Sequence, residues 1–213
     1  MPNHEACQGC AKECAAAHRR AATRQSASLR AVDNSDDVVH LRVPVTAKSE
    51  LIPLEVGQRV LLSGTIYTAR DAAHRRMVES ILAGEEVPIP LENAFIYYAG
   101  PCPAPPGRVI GSVGPTTSYR MDSYAPALIE KGLGGMIGKG TRSKRVIEAM
   151  VKHCCVYFAA VGGAGALLSR RVVNAELVAY GDLGTEAIRR LEVKDFPVIV
   201  AIDTRGNSIY ERR

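Results

Sequence analysis

The sequence predicts a layered α/β domain. From Val38 onward, short runs rich in Val, Ile, Leu and Thr alternate with helix-like runs, and the strand-like runs are the more numerous. Two helix-like runs end at a glycine, Gly84 and Gly132, the residue that most readily turns a helix terminus into the left-handed region. The 213 residues suffice for one domain with a sizeable core plus a tail. Hydrophobic residues make up 46% and charged ones 23%, the balance of an ordinary globular chain rather than a fibrous or disordered one.

Residues 1–37 stand apart from the domain expected over 38–213. They carry Cys7, Cys10 and Cys14, an Ala/Arg/Ser run and Asn34-Ser35-Asp36-Asp37, with little periodic apolar content. The expectation is a flexible N-terminal extension. The spacing Cys7-x2-Cys10-x3-Cys14, with His4 and His18 nearby, could hold zinc or a cluster, making Cys7, Cys10 and Cys14 candidate metal ligands. Reduced thiols in a tail are the favoured account, since no second CxxC supplies a fourth ligand.

Within the domain, His40 to Val45 alternates like an edge strand, and Pro44 suits an edge. Arg59 to Tyr67 reads as a strand. A helix is expected over 72–83, capped by Asp71 and stopped by Gly84, with an apolar stripe of Ala73, Met77 and Ile81. His74 is expected on its exposed face. Ala94 to Ala99 is a strand, followed by the stiff loop Gly100 to Gly107 with its single Cys102. Arg108 to Val113 reads as a further strand leading into Gly114-Pro115-Thr116-Thr117-Ser118-Tyr119-Arg120-Met121-Asp122. Ser123 would cap a helix from Tyr124 to Lys131, with Pro126 tolerated in its first turn. Leu133 to Gly138 is a short buried strand ending at Lys139, and Arg145 to His153 a helix. Cys155 to Val161 and Asn174 to Tyr180 are strands. Thr185 to Leu191 is expected to be helical, and Phe196 to Asp203 a strand.

Net charge is +5, with an isoelectric point near 8.9. Aromatic residues are only 5% and no nucleic-acid motif occurs, so the excess fits an anionic substrate or acidic partner better than DNA or RNA. The first thirty residues lack the apolar run of a secretory signal, and Cys154 to Ser169 is too short to span a bilayer. Together with cysteine spacings unlike a secreted scaffold, this predicts a cytoplasmic protein outside the membrane. No P-loop occurs, and Gly162-Gly163-Ala164-Gly165 does not complete a dinucleotide fingerprint.

Three expected strand-to-helix junctions are cationic: Arg70; Thr116 to Arg120; and Lys139. Unpaired N–H groups and the helix dipole favour an anion there. In an open α/β sheet such junctions gather in one crevice. Two guanidiniums, an ammonium and the hydroxyls of Thr116, Thr117 and Ser118 would suit a carboxylate or phosphate, and a small dicarboxylate best.

Three stretches, Tyr67-Thr68-Ala69-Arg70-Asp71-Ala72-Ala73-His74, Gly114 to Asp122, and Gly138-Lys139-Gly140, resemble the three motifs of the β subunit of class I, iron–sulfur fumarate hydratase. That family includes L(+)-tartrate dehydratase, and the similarity runs in order over about 38–211. The resemblance implies a swivelling β/β/α domain with a mixed sheet and flanking helices. It implies a partner α subunit carrying a [4Fe-4S] cluster, an active site between the two subunits, an α2β2 hetero-oligomer, and no activity from this chain alone. It also implies that Arg70, Arg120 and Lys139 hold substrate carboxylates, with Thr117 and Ser118 beside them, and that Thr116, aided by Lys139, is the base at carbon. The activity so implied is fumarate hydration to (S)-malate, or dehydration of L(+)-tartrate. Use of the cysteine tail by a non-catalytic metal-binding protein is the reading from another class.

Overall fold

The structure, a computed structural model, describes residues 38–211. The N-terminal extension, with Cys7, Cys10 and Cys14, lies outside the described residues. Seven strands are described: β1 (Val39–Val43), β2 (Arg59–Thr68), β3 (Phe95–Tyr97), β4 (Gly135–Gly138), β5 (Val156–Ala159), β6 (Val172–Ala179) and β7 (Ile188–Ile202). The α-helices are α1 (Asp71–Ala83), α2 (Ala125–Glu130), α3 (Lys144–His153) and the single turn α4 (Gly165–Leu168).

The strand order is β1-β2-β3-β4-β5-β7-β6, and β2 also pairs with β7. β1 to β5 run parallel, each to the next, while β7 is antiparallel to β2, β5 and β6. The pairings β2-β3-β4-β5-β7-β2 therefore form a closed circuit, with β1 and β6 as outlying edges.

Alternation along the strands sorts side chains into two cores. Phe95, Tyr97, Ile137, Val156 and Phe158 face a core shared with β1, β2 and β7. Ile96, Tyr98, Met136 and Tyr157 face the other way, against Ala73 and Met77 of α1, Leu128 of α2 and Met150 of α3. The result is three layers, two of strand and one of helix, as the fold expectation required. Full burial of a side chain such as Met77 contributes about 1.5–3 kcal/mol.

α1 ends as its sequence dictates, at Gly84 with φ 73°, where the left-handed turn carries no Cβ penalty. Its start differs: Arg70, in extended conformation, is the N-cap, and Asp71 is the first helical residue. Tyr124, not Ser123, caps α2, with Pro126 in the first turn.

Two expected elements are replaced. Residues 108–113 form no strand, because their backbone bonds go to a loop and to the start of α4: Cys102 N–H donates to the Ser112 carbonyl (3.0 Å) and Val113 N–H to that of Gly165 (3.1 Å). Residues 185–191 are not a helix. A 3-10 turn, Gly181–Glu186, leads into β7, fifteen residues long. The helix-forming composition of Glu186 to Arg190 yields to pairing: β7 supplies partners to β2, β5 and β6, whose edges would otherwise stay open.

Candidate functional site

The parallel strands β2, β3 and β4 end on the same edge of the sheet, so the residues following them are neighbours. Arg70 follows β2, Tyr98 follows β3 and Lys139 follows β4. The Gly114–Asp122 turn is sewn across these ends. Thr116 donates both its N–H (2.7 Å) and its hydroxyl (2.9 Å) to the Tyr98 carbonyl. Thr117 bridges to Lys139 in parallel register, and Ser118 N–H donates to the Lys139 carbonyl (2.9 Å). Ser118 to Met121 then form a short 3-10 turn that presents Arg120.

The two guanidiniums meet on one carboxylate. Arg120 Nη2 lies 3.0 Å from both oxygens of Asp71, and Arg70 Nε lies 3.9 Å from Asp71 Oδ1. Arg70 Nη2 also pairs with Glu186 (3.0 Å), whose other oxygen accepts from Ala72 N–H at the start of α1 (3.3 Å). Lys139 is exposed and its ammonium has no ion-pair partner among the described residues. Three cations thus face two carboxylates, all of them solvent-accessible, which leaves one positive charge uncompensated at the rim. Of the residues expected at the site, Arg70 and Arg120 meet on Asp71, Thr117 pairs with Lys139, and Thr116 is bound to the Tyr98 carbonyl.

Ser118 is placed differently from the other hydroxyls. Its side chain is buried, accepting the Lys139 N–H (3.1 Å) and bonded to the Tyr157 hydroxyl (2.9 Å), so it holds the turn from beneath. Gly138 permits this approach, since a Cβ there would collide with the Ser118 hydroxyl.

Below the rim lies a layer that sequence reasoning did not find. His74 is buried, not exposed as expected. It occupies position i of an i, i+3, i+4, i+7 series with Met77, Val78 and Ile81, a helical face that was readable in the sequence. Its Nδ1 donates to the Arg70 carbonyl (2.8 Å), and its ring meets Tyr98 edge-on at 5.1 Å. Burial, aided by the Arg142 charge, lowers its pKa to about 4, so it is neutral at pH 7. Arg142 is fully buried as well, donating to Asp122 (2.7 Å) between the rings of Tyr98 and Tyr157. Burial raises the pKa of both tyrosines, keeping their hydroxyls protonated. In the sequence Arg142-Ser143 leans toward the fumarase side of the family resemblance, but nothing there marks Arg142 as buried.

A family model described as the fumarase C-terminus matches residues 13–213. The chain belongs to the fumarase C-terminal domain family. The match begins before Val38, inside the segment read as an extension. Among relatives of this fumarase C-terminal domain, fumarate hydratase class I, anaerobic, of Escherichia coli (strain K12) is 42% identical over 167 residues. That alignment takes in 77% of this chain and 30% of the relative. Fumarate hydratase 2 of Leishmania major is 39% identical over 178 residues, covering 82% of this chain and 31% of the relative. The putative L(+)-tartrate dehydratase subunit beta of Methanocaldococcus jannaschii is 41% identical over 170 residues, covering 77% of this chain and 87% of the relative. The chain thus spans under a third of the two fumarate hydratases, but most of the β-subunit relative.

Among the described residues no helix is long and apolar enough to cross a membrane. No group of three His, Cys, Asp or Glu among them could hold a metal ion.

Proposed function

We propose that this domain is the β half of a cytoplasmic hydro-lyase that reversibly hydrates fumarate to (S)-malate, completed by an α subunit in a hetero-oligomer. The observation that carries the reading is the meeting of Arg70 and Arg120 on the Asp71 carboxylate, beside Thr116 and Lys139. A site that brings two arginines onto a side-chain carboxylate has the geometry to exchange it for a substrate carboxylate. The β-subunit relative of matching length supports a separate partner, and the fumarate hydratases, more than three times as long as their aligned part, support the need for one.

In this reading Arg70 and Arg120 take the substrate carboxylates, displacing Asp71 and Glu186. Thr117 adds its hydroxyl at the Lys139 side of the pocket. The Thr116 hydroxyl, now donated to Tyr98, rotates toward the substrate. In hydration it gives its proton to one carbon as the hydroxyl of water adds to the other, and the proton that water gives up restores the threonine. In dehydration the alkoxide takes the carbon's proton as the hydroxyl leaves. An alkoxide on threonine lies far outside its ordinary range and needs a positive field, which Lys139, Arg70 and Arg120 supply. This reading assigns the [4Fe-4S] cluster to the α subunit. That cluster would supply the iron that binds substrate.

The test is co-expression with the α subunit under anaerobic conditions, with malate, L(+)-tartrate and mesaconate compared side by side. Malate dehydration faster than the other two is the expected result. A cluster-loaded complex with no hydratase activity overturns the proposal. Within the complex, Thr116→Val should cut kcat roughly a hundredfold while KM changes little, the pattern of a group acting in the transition state. Unchanged turnover removes Thr116 from the base role. A second reading, tartrate dehydration, is favoured by the β-subunit relative, whose length this chain matches; preference for tartrate in the same assay selects it.

A further inference from the structure

We infer that Arg142 is a positioning residue for the reaction proposed above, stacked between Tyr98 and Tyr157 so that Thr116 and Lys139 keep one relative geometry. The inference rests on that reading, and its first readout does not.

Arg142 touches neither rim nor solvent, yet both halves of the site hang from its neighbours. Its guanidinium carbon lies 5.3 Å from the ring centre of Tyr98 and 5.2 Å from that of Tyr157. Nη1 reaches the Tyr98 hydroxyl (3.4 Å) and the Met136 sulfur (3.2 Å), and Nε donates to Asp122 Oδ1 (2.7 Å). Nη2 is buried with no hydrogen-bond acceptor.

From Tyr98 one arm runs outward: its carbonyl takes both Thr116 donors, and its ring packs on His74, which holds the Arg70 carbonyl. From Tyr157 the other arm runs to Lys139. The Tyr157 hydroxyl donates to the Gly140 carbonyl (2.9 Å) and accepts from Ser118, which accepts the Lys139 N–H. The planar guanidinium is what allows one cation to stack on two rings while donating in its plane. Lysine keeps the charge but cannot do both. Arg142→Lys therefore separates charge from geometry.

The experiment uses the full chain as wild type, Arg142→Lys, Tyr157→Phe, and Lys144→Ala as a solvent-exposed control. Backbone amide shifts come first. Arg142→Lys should move the amides of Thr116, Lys139 and Arg70 together, while Lys144→Ala leaves them in place. Shifts confined to Asp122 and Ser143, the direct neighbours, overturn the inference. In the assembled complex, Arg142→Lys should lower kcat per folded enzyme roughly ten- to a hundredfold, with KM within about threefold, because reacting groups rather than binding charges are displaced. A kcat within about twofold of wild type overturns it too. Should Arg142→Lys fail to fold, Tyr157→Phe decides: it keeps both the ring and Arg142 but cuts the Lys139 arm. It should shift the Ser118, Lys139 and Gly140 amides and lower kcat, and an unchanged kcat refutes the linkage. If the wild-type complex shows no hydratase activity, the functional reading falls, and the amide shifts alone decide whether Arg142 joins the three loops.

Discussion

Lys139 and Arg142 are three residues apart and carry the same charge, but they belong to opposite regions of the site. The rim, with Arg70, Arg120 and Lys139, is solvent-accessible: Arg70 and Arg120 share Asp71, Arg70 also pairs with Glu186, and Lys139 has no ion-pair partner among the described residues. The floor, with His74, Tyr98, Arg142 and Tyr157, is buried, and each member is held by at least two neighbours. The difference is one of dielectric. Rim charges lose little when a partner leaves, because water replaces it, so they are free to exchange carboxylates. Floor groups have no such substitute, so their geometry is fixed and any unpaired charge is costly.

The largest expected effect that tests this contrast is at Asp122. Its two oxygens hold Arg142 and the Ser143 N–H that opens α3 (2.5 Å). Asp122→Ala leaves a guanidinium buried without a counter-ion and should cost about 3–5 kcal/mol in urea unfolding. A loss under about 1 kcal/mol would place the floor on the same footing as the rim.

Next in size is a pH effect at His74. Its folded pKa of about 4 lies below the ordinary 6.5, so the unfolded chain takes up its proton first as pH falls. The stability from a neutral His74 is whole above pH 6.5 and drains away between 6.5 and about 4, in total about 3 kcal/mol. His74→Gln should flatten the stability-against-pH curve across that interval relative to wild type. A parallel pair of curves would mean that the imidazole stays accessible to protons.

The smallest structural effect is at the rim. Arg120→Ala removes a half-exposed pair and should change unfolding stability by less than about 1 kcal/mol. In the assembled enzyme the same change should raise KM about tenfold, the weight of a lost guanidinium–carboxylate contact. Appreciable destabilisation with unaltered KM would invert the comparison.

The rim was legible in the sequence and the floor was not, for a physical reason. Arg70 and Lys139 stand between periodic segments whose types are readable from β-branched runs and from the stripe of α1, so topology alone brings them to one edge. Arg142 and the tyrosines owe their roles to three-dimensional stacking, which leaves no spacing to detect. His74 is the intermediate case: its helical face was visible, but a stripe drawn through Ala73, Met77 and Ile81 leaves His74 on the exposed side. Elements governed by local pattern, β2 and α1 among them, came through within a residue or so. β7 did not, because its first residues favour a helix locally and are overruled by pairing with β2 and β6.

The closed circuit of strands also bears on how the chain is made. β7 comes last among the described strands, yet it fills the open flank of both β2 and β5, which precede it by more than a hundred and by about thirty residues respectively. Until translation reaches it, the nascent polypeptide lacks the partner for the edges of β2, β5 and β6, edges of the kind that recruit neighbouring chains. A premature stop ahead of Ile188 should therefore leave the seam undone and send the product to inclusion bodies, read as loss of soluble protein.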